Sequence, residues 1–139
     1  MDHSRPYVML IDDDEDDLEL MSSSLELAGI RIKNFNSGIK ALFYLSLLSS
    51  DMDLPSLIIM DYNMPKSNGQ QILLLLKSRK ELKNIPVVMY STLFSDDHKK
   101  KLYDLGALDC FIKPWAFRDF IQQVDIFRNL AYSLHPKKT

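Results

Sequence analysis

The chain alternates short apolar runs with segments of helical periodicity from one end to the other. Several of the runs show no polar alternation, which is typical of parallel strands buried on both faces. The strand-sized runs are residues 7–11, 31–35, 57–60, 87–90 and 110–112. Strands that alternate with helices predict a parallel sheet covered by helices on both faces, because each crossover between parallel strands is long enough to hold a helix.

Apolar residues recur at helical spacing between these runs, which predicts five helices. Gly29 is expected to end the first helix, since glycine readily adopts the left-handed conformation that follows many helices. The positions expected to face the core are, helix by helix, Leu18, Met21, Leu25 and Ala28; Ile39, Leu42, Phe43 and Leu47; Ile72, Leu75 and Leu76; Leu102 and Leu105; and Phe117, Phe120, Ile121, Val124, Phe127 and Ala131.

Composition limits the cellular location and the classes of partner expected for this chain. A formal net charge of -2 gives no general attraction to nucleic acid or to an anionic membrane. No apolar run is long enough to span a bilayer, and a lone cysteine, Cys110, excludes an internal disulfide and fits a reducing compartment. We therefore expect a cytoplasmic protein of one domain, 1–139, that binds neither nucleic acid nor membrane.

Six acidic residues, 12–17, follow the first predicted strand without interruption. Asp14 would cap the next helix, and the three acids after it would lie in the first turn, where the helix dipole favours negative charge. This structural explanation does not cover Asp12 and Asp13, which lie at the end of the strand itself.

Polar residues follow the other strands as well, and ligands of open parallel sheets bind at the carboxyl ends of the strands. Asp61 follows the third strand, Ser91 the fourth and Lys113 the fifth. Carboxylates crowded together with Asp12 and Asp13 would raise one another's pKa unless a cation is present, and oxygen ligands without histidine or thiolate suit Mg²⁺. A calcium EF-hand loop is excluded, because the block lacks the required glycine and the terminal glutamate.

Lys113 alone would most simply form a salt bridge to one of the aspartates. Beside a metal ion and the Ser91 hydroxyl, however, the same ammonium can hold a phosphoryl oxygen. With Asp61 as the nucleophile, the set contains what phosphoryl transfer to a carboxylate requires.

Four motifs in this order and spacing resemble the receiver domains of two-component response regulators: "LIDDDEDD", "LIIMDYNMPKSNG", "IPVVMYST" and "LGALDCFIKPW". The resemblance runs from about residue 7 to about residue 132. The pattern "NMPKSNG" resembles stand-alone receivers associated with hybrid histidine kinases or bacterial phytochromes. The implied fold is CheY-like and flavodoxin-like: a doubly wound α/β domain with a five-stranded parallel sheet, order 2-1-3-4-5, and five helices. The implied organisation is a single receiver domain without an output domain.

The resemblance also implies a role for each polar residue at the strand ends. Asp61 resembles the phospho-accepting aspartate, Ser91 the switch hydroxyl and Lys113 the lysine that pairs with the phosphoryl group. In this family the Lys113–Pro114 peptide bond is usually cis, and Gly69 stands where a residue tolerant of unusual backbone angles fits. The implied Mg²⁺ site consists of Asp12, Asp13, Asp61 and the backbone carbonyl of Asn63, with Asp13 as a direct ligand and Asp12 acting mainly through water.

Two positions depart from the family pattern. Cys110 stands where a tyrosine or phenylalanine usually moves inward on activation. Thr92 stands where alanine or glycine is common, and its bulk beside the phosphoryl site predicts a longer-lived phosphorylated form.

The implied function is that of a Mg²⁺-dependent phosphoryl acceptor in a phosphorelay, which either switches partner binding or relays the phosphoryl group and is not a turnover enzyme. The implied partners are a sensor histidine kinase or a histidine phosphotransfer protein, and a downstream protein target. A homodimer through the face of the fourth helix, fifth strand and fifth helix is a further possibility.

Three other functions compete with this one. A phosphatase of the haloacid-dehalogenase type needs an acid two residues after the nucleophile, where this chain has Asn63. A flavodoxin-like carrier would need phosphate donors in its first loop, which here is anionic and would repel the cofactor. A phosphorylation-independent pseudo-receiver, which would serve only as an interaction module, stays open.

Overall fold

The computed structural model describes residues 5–48, 53–64 and 68–136, and in them strands and helices alternate as the sequence predicts. The strands pair in parallel in the order β2-β1-β3-β4-β5, which confirms the doubly wound α/β fold. The strands are β1 (Tyr7–Ile11), β2 (Arg31–Phe35), β3 (Leu57–Asp61), β4 (Val87–Ser91) and β5 (Asp109–Ile112). The helices are α1 (Glu15–Leu27), α2 (Gly38–Ser46), α3 (Gly69–Ser78), α4 (Asp96–Asp104) and α5 (Phe117–Leu134).

The apolar core lies on both faces of the sheet, because the central strands are buried on both sides. Successive residues of β1 point to opposite faces, so Met9 and Ile11 pack with α2, α3 and α4 while Val8 and Leu10 pack with α1 and α5. Among the described residues, none of the helices has the length and apolar character needed to cross a bilayer.

The predicted buried face of α2 is confirmed only at Leu42. The helix buries Ala41, Leu42 and Leu45, whereas Ile39 is 58% exposed and Phe43 is 65% exposed. Leu47, which was expected on the same face, follows the helix and is 66% exposed. The segment is apolar nearly all round, so its periodicity fits more than one face and only tertiary packing selects between them.

In α3 and α5 the predicted faces are partly confirmed. Ile72 and Leu76 of α3 are buried as expected, but Leu75 is 40% exposed. In α5 the expected stripe fails at two positions, because Phe117 is 70% and Ile121 is 42% exposed. Phe117 begins the helix and stacks on Phe120 at 6.4 Å between ring centroids. The confirmed core positions of α5 are Phe120, Val124, Phe127 and Ala131.

Glycine is required at two positions for different reasons: at Gly29 after α1 and at Gly69 near the carboxyl edge of the sheet. Gly29 has a φ of 92° just after α1, which confirms its predicted role at the end of that helix. Gly69 is different, since positive φ among the described glycines occurs only at Gly29 and Gly106. A Cβ at Gly69 would lie 2.7 Å from the carbonyl oxygen of Asp61, so close approach, and not an unusual backbone angle, requires glycine there.

Candidate functional site

Three aspartates meet where β1 and β3 end. These strands are neighbours, with Ile11 paired to Met60, so Asp12 follows one strand end while Asp61 completes the other. Carboxylate oxygens of Asp12, Asp13 and Asp61 lie within 4.8 Å of one another. Asp12 and Asp61 are each only 7% exposed, whereas Asp13 is exposed. The convergence predicted from the sequence is therefore present in the fold.

The electrostatics of this group suit a cation. The pKa of Asp12 is raised to about 6, mainly because burial penalises the charged form and also because Asp61 lies nearby, although bonds from Lys113 and the Asp14 backbone oppose the shift. The pKa of Asp13 is raised as well, by desolvation and then by Asp61. Three crowded carboxylates without histidine or thiolate match the hard oxygen ligands that Mg²⁺ prefers.

Lys113 lies against this acidic group from the end of β5. Its Nζ donates to Asp12 Oδ2 at 2.9 Å and to Asp17 Oδ2 at 3.0 Å, and it is 3.7 Å from Asp61 Oδ2. Burial lowers the pKa of Lys113, but the hydrogen bonds and charges of the aspartates outweigh burial and raise it overall. The ammonium therefore stays charged at neutral pH.

Asp17 is the residue that the sequence interpretation missed, since it was assigned only to the first turn of α1. Side chains of a helix point back toward its N-terminus, and the N-terminus of α1 lies beside the strand ends. That direction is the signal that could have placed the Asp17 carboxylate near the site.

Ser91 and Asn63 form a polar pair beside Asp61. Ser91 is fully buried, and its Oγ accepts a hydrogen bond from Asn63 Nδ2 at 2.7 Å while donating to the carbonyl of Leu93 at 3.0 Å. The Asn63 backbone N–H donates to Asp61 Oδ1 at 3.1 Å. Asn63 thus links Ser91 to the Asp61 carboxylate, and coordination of a metal by the Asn63 carbonyl stays a prediction.

The remaining expectations about this edge have mixed outcomes. Cys110 is half-buried at the expected position on β5, and burial raises the pKa of its thiol. Thr92 is exposed beside Ser91.

No peptide bond among the described residues is cis, so the Lys113–Pro114 bond is trans and the expected cis bond is wrong. An X–Pro bond favours trans by about 0.5–1 kcal/mol unless tertiary contacts reverse the preference.

Comparisons with known proteins agree with this geometry. The family model for the response regulator receiver domain matches residues 8–125 of this chain. The transcriptional regulatory protein CpxR homologue of Haemophilus influenzae is 33% identical over 117 residues, which cover 84% of this chain but only 48% of that protein, so the chain spans about half its length. The two-component response regulator ORR13 of rice is 30% identical over 84% of this chain and 93% of its own length.

Solved structures give the same result for the fold. The phosphorylated cyanobacterial phytochrome response regulator RcpA has a TM-score of 0.82 and 26% identity, covering 97% of this chain and 99% of that one. The chemotaxis protein CheY4 of Vibrio cholerae has a TM-score of 0.75 and 22% identity, covering 88% of this chain and 98% of that one. The similarity to a phytochrome response regulator agrees with the resemblance of the "NMPKSNG" pattern.

Proposed function

The chain belongs to the family of response regulator receiver domains, and from this premise we propose that it is a Mg²⁺-dependent phosphoryl acceptor in a two-component phosphorelay. Asp61 would be the acceptor, and the phosphorylated chain would switch partner binding or pass the phosphoryl group on. The single observation that supports this most strongly is the convergence of Asp61 with two further carboxylates and the Lys113 ammonium.

In the proposed reaction an oxygen of the Asp61 carboxylate attacks the phosphorus of the donor. The new O–P bond forms as the donor's bond to phosphorus breaks, and the donor leaves with that electron pair. Lys113 Nζ, which is 3.7 Å from Asp61 Oδ2, is near enough to bond an oxygen of the transferred group. Ser91 would supply a hydroxyl to the same group after turning from its bond to the Leu93 carbonyl.

Asp12, Asp13 and Asp61, with the carbonyl of Asn63, would hold Mg²⁺. Bound there, the ion supplies positive charge that neutralises the carboxylates and the incoming phosphoryl oxygens. The raised pKa of Asp12, to about 6, supports this assignment, because crowded carboxylates are electrostatically unfavourable without a neutralising cation.

The experiment is incubation with acetyl phosphate and Mg²⁺, followed by intact-mass measurement. We expect one phosphoryl adduct that disappears in Asp61→Asn and when the metal is chelated. Asp125→Asn, which neutralises an exposed aspartate on α5, is the matched control and should still form the adduct. No adduct and no Mg²⁺ binding would contradict the proposal and leave a phosphorylation-independent interaction module.

The proposed partners are those of a two-component pathway: a sensor histidine kinase or histidine phosphotransfer protein upstream and a protein target downstream. A cytoplasmic setting is proposed on composition alone.

A phosphorylation-linked homodimer through α4, β5 and α5 is also proposed, since Ile112 at the end of β5 is 45% exposed and Tyr103 on α4 is 44% exposed. Sedimentation velocity with and without acetyl phosphate tests it, and a monomer under both conditions would contradict it.

A further inference from the structure

Asp17 contacts Lys113 although it lies outside the group of three aspartates. We propose that Asp17 is a positioning residue that holds the Lys113 ammonium in place, so that its free N–H is directed at the oxygens carried by Asp61. This inference rests on the proposed function, because it assigns a role in phosphoryl uptake at Asp61.

The number of N–H donors on the ammonium indicates that Asp17 can orient Lys113 without occupying all of its donors. A lysine ammonium has three N–H donors. Asp12 at 2.9 Å and Asp17 at 3.0 Å take two of them. Asp61 Oδ2, at 3.7 Å, is too far for a hydrogen bond, so the third donor stays available for an oxygen nearer to the ammonium. Asp17 need not release Lys113 for that bond to form.

Hydrogen bonds fix the backbones of both Asp17 and Lys113. The Asp17 N–H donates to the capping carboxylate of Asp14 at 3.1 Å, and the Asp14 N–H donates to Asp12 Oδ1 at 2.9 Å. On the other side, the Lys113 N–H donates to the carbonyl of Ser91 at 2.8 Å. The backbones at the start of α1 and after β5 are thus both fixed to the edge of the sheet, which keeps the Asp17 and Lys113 side chains within reach of each other.

The Lys113 side chain is largely enclosed, since only 13% of it is exposed. Lys113 Nζ also lies 5.6 Å from the centre of the Tyr90 ring, and the Tyr90 hydroxyl donates to Gln123 at 2.6 Å. Of the two aspartates that bond the ammonium, only Asp17 is not also a proposed metal ligand.

A simpler explanation is an ordinary surface ion pair. The Asp17 side chain is 46% exposed, and exposed pairs contribute little to stability. The test therefore needs a kinetic readout that depends on Lys113, since a stability measurement alone would not separate the two explanations.

The experiment compares Asp17→Asn with Asp16→Asn, which removes one negative charge from the same helical turn. The rate of adduct formation with acetyl phosphate and Mg²⁺ is measured by intact mass after circular dichroism has shown that each variant is folded. We expect Asp17→Asn to slow the reaction about fivefold and Asp16→Asn to change it by less than about twofold. In a Lys113→Gln background, Asp17→Asn should have almost no further effect, because the group it positions is gone.

Each other result overturns the inference. Equal rates for the Asp17 and Asp16 variants would show an ordinary surface pair, and a faster Asp17→Asn would show that Asp17 restrains Lys113. An undiminished effect in the Lys113→Gln background would show action through another group. A wild-type protein that forms no adduct would overturn the proposed function and this inference together. If Asp17→Asn does not fold, Asp17→Ser serves as the second neutral variant with the same expected result.

Discussion

The apolar residues inside the sheet and Asp12 at its carboxyl edge are buried to a similar degree but contribute to stability with opposite signs. Along β1, Val8 is fully buried and Ile11 is 1% exposed, both in apolar surroundings, and burial of this kind is the main favourable term in folding. One residue later Asp12 is 7% exposed, and burial raises the pKa of its carboxyl to about 6. A charge at that position is unfavourable in the metal-free protein, so Asp12 lowers the stability of the fold where the residues before it raise it.

The largest expected effect tests the interior. Phe127 on α5 is fully buried and makes edge-on ring contacts with Tyr90 at 5.8 Å and Phe111 at 5.0 Å between centroids. We expect Phe127→Ala to lower the free energy of unfolding by about 3–5 kcal/mol, because it removes buried apolar surface and leaves a cavity. Urea denaturation measures the change.

The matched control is the neighbouring Ile126→Ala, at a side chain that is 42% exposed, for which about 1 kcal/mol or less is expected. Equal losses in the two variants would contradict the assignment of Phe127 to the core.

A smaller effect, of opposite sign, tests the edge. We expect Asp12→Asn to raise the free energy of unfolding of the metal-free protein at pH 7 by about 1 kcal/mol, because it removes a buried charge. The folded protein keeps the Asp12 proton up to about pH 6, whereas the unfolded chain releases it near the ordinary pKa of 3.8. Between these values the unfolded state binds fewer protons, so stability falls as pH rises from about 4 to about 6.

Urea denaturation across this pH range in the presence of a chelator measures both effects. The variant should lose the part of the slope that Asp12 causes, while Asp125→Asn, at an exposed position on α5, should keep it. A destabilised Asp12→Asn would show that the bond to Lys113 outweighs the burial of the charge.

The smallest effect on stability is expected at Thr92, an exposed residue beside Ser91. Thr92→Ala should change the free energy of unfolding by less than about 0.5 kcal/mol. It should nevertheless shorten the life of the phosphorylated form about threefold, because less bulk would shield the acyl phosphate from water. Decay of the adduct after removal of the donor gives the rate.

Thr92→Val separates bulk from the hydroxyl group, since it keeps the size of the side chain and should keep the wild-type lifetime. A Thr92→Ala adduct that decays at the wild-type rate would remove shielding as an explanation.

The parts of the fold that the sequence predicts well are those with an unambiguous local pattern. Continuous apolar runs identified β1, β3 and β4, and the polar residues after the strands placed Asp12, Asp61 and Lys113 at one edge. The buried face of α2 was not predictable in this way, because an almost wholly apolar helix offers several equivalent faces. The contact of Asp17 with Lys113 joins positions 96 residues apart, and it forms only because the fold brings the start of α1 and the residue after β5 to the same edge of the sheet.

The close approach of Gly69 to the Asp61 carbonyl has a mechanical consequence for how a signal can leave the site. The peptide group after Asp61 is also held by β4, through the bond from the Tyr62 N–H to the Tyr90 carbonyl at 2.9 Å. A methyl group at residue 69 would collide with the Asp61 carbonyl, so the main chain after Asp61 is closely packed on that side. We expect the backbone of β3, which carries Asp61, to stay in place on phosphorylation. Displacement should then be confined to side chains and to the turn that follows Ser91.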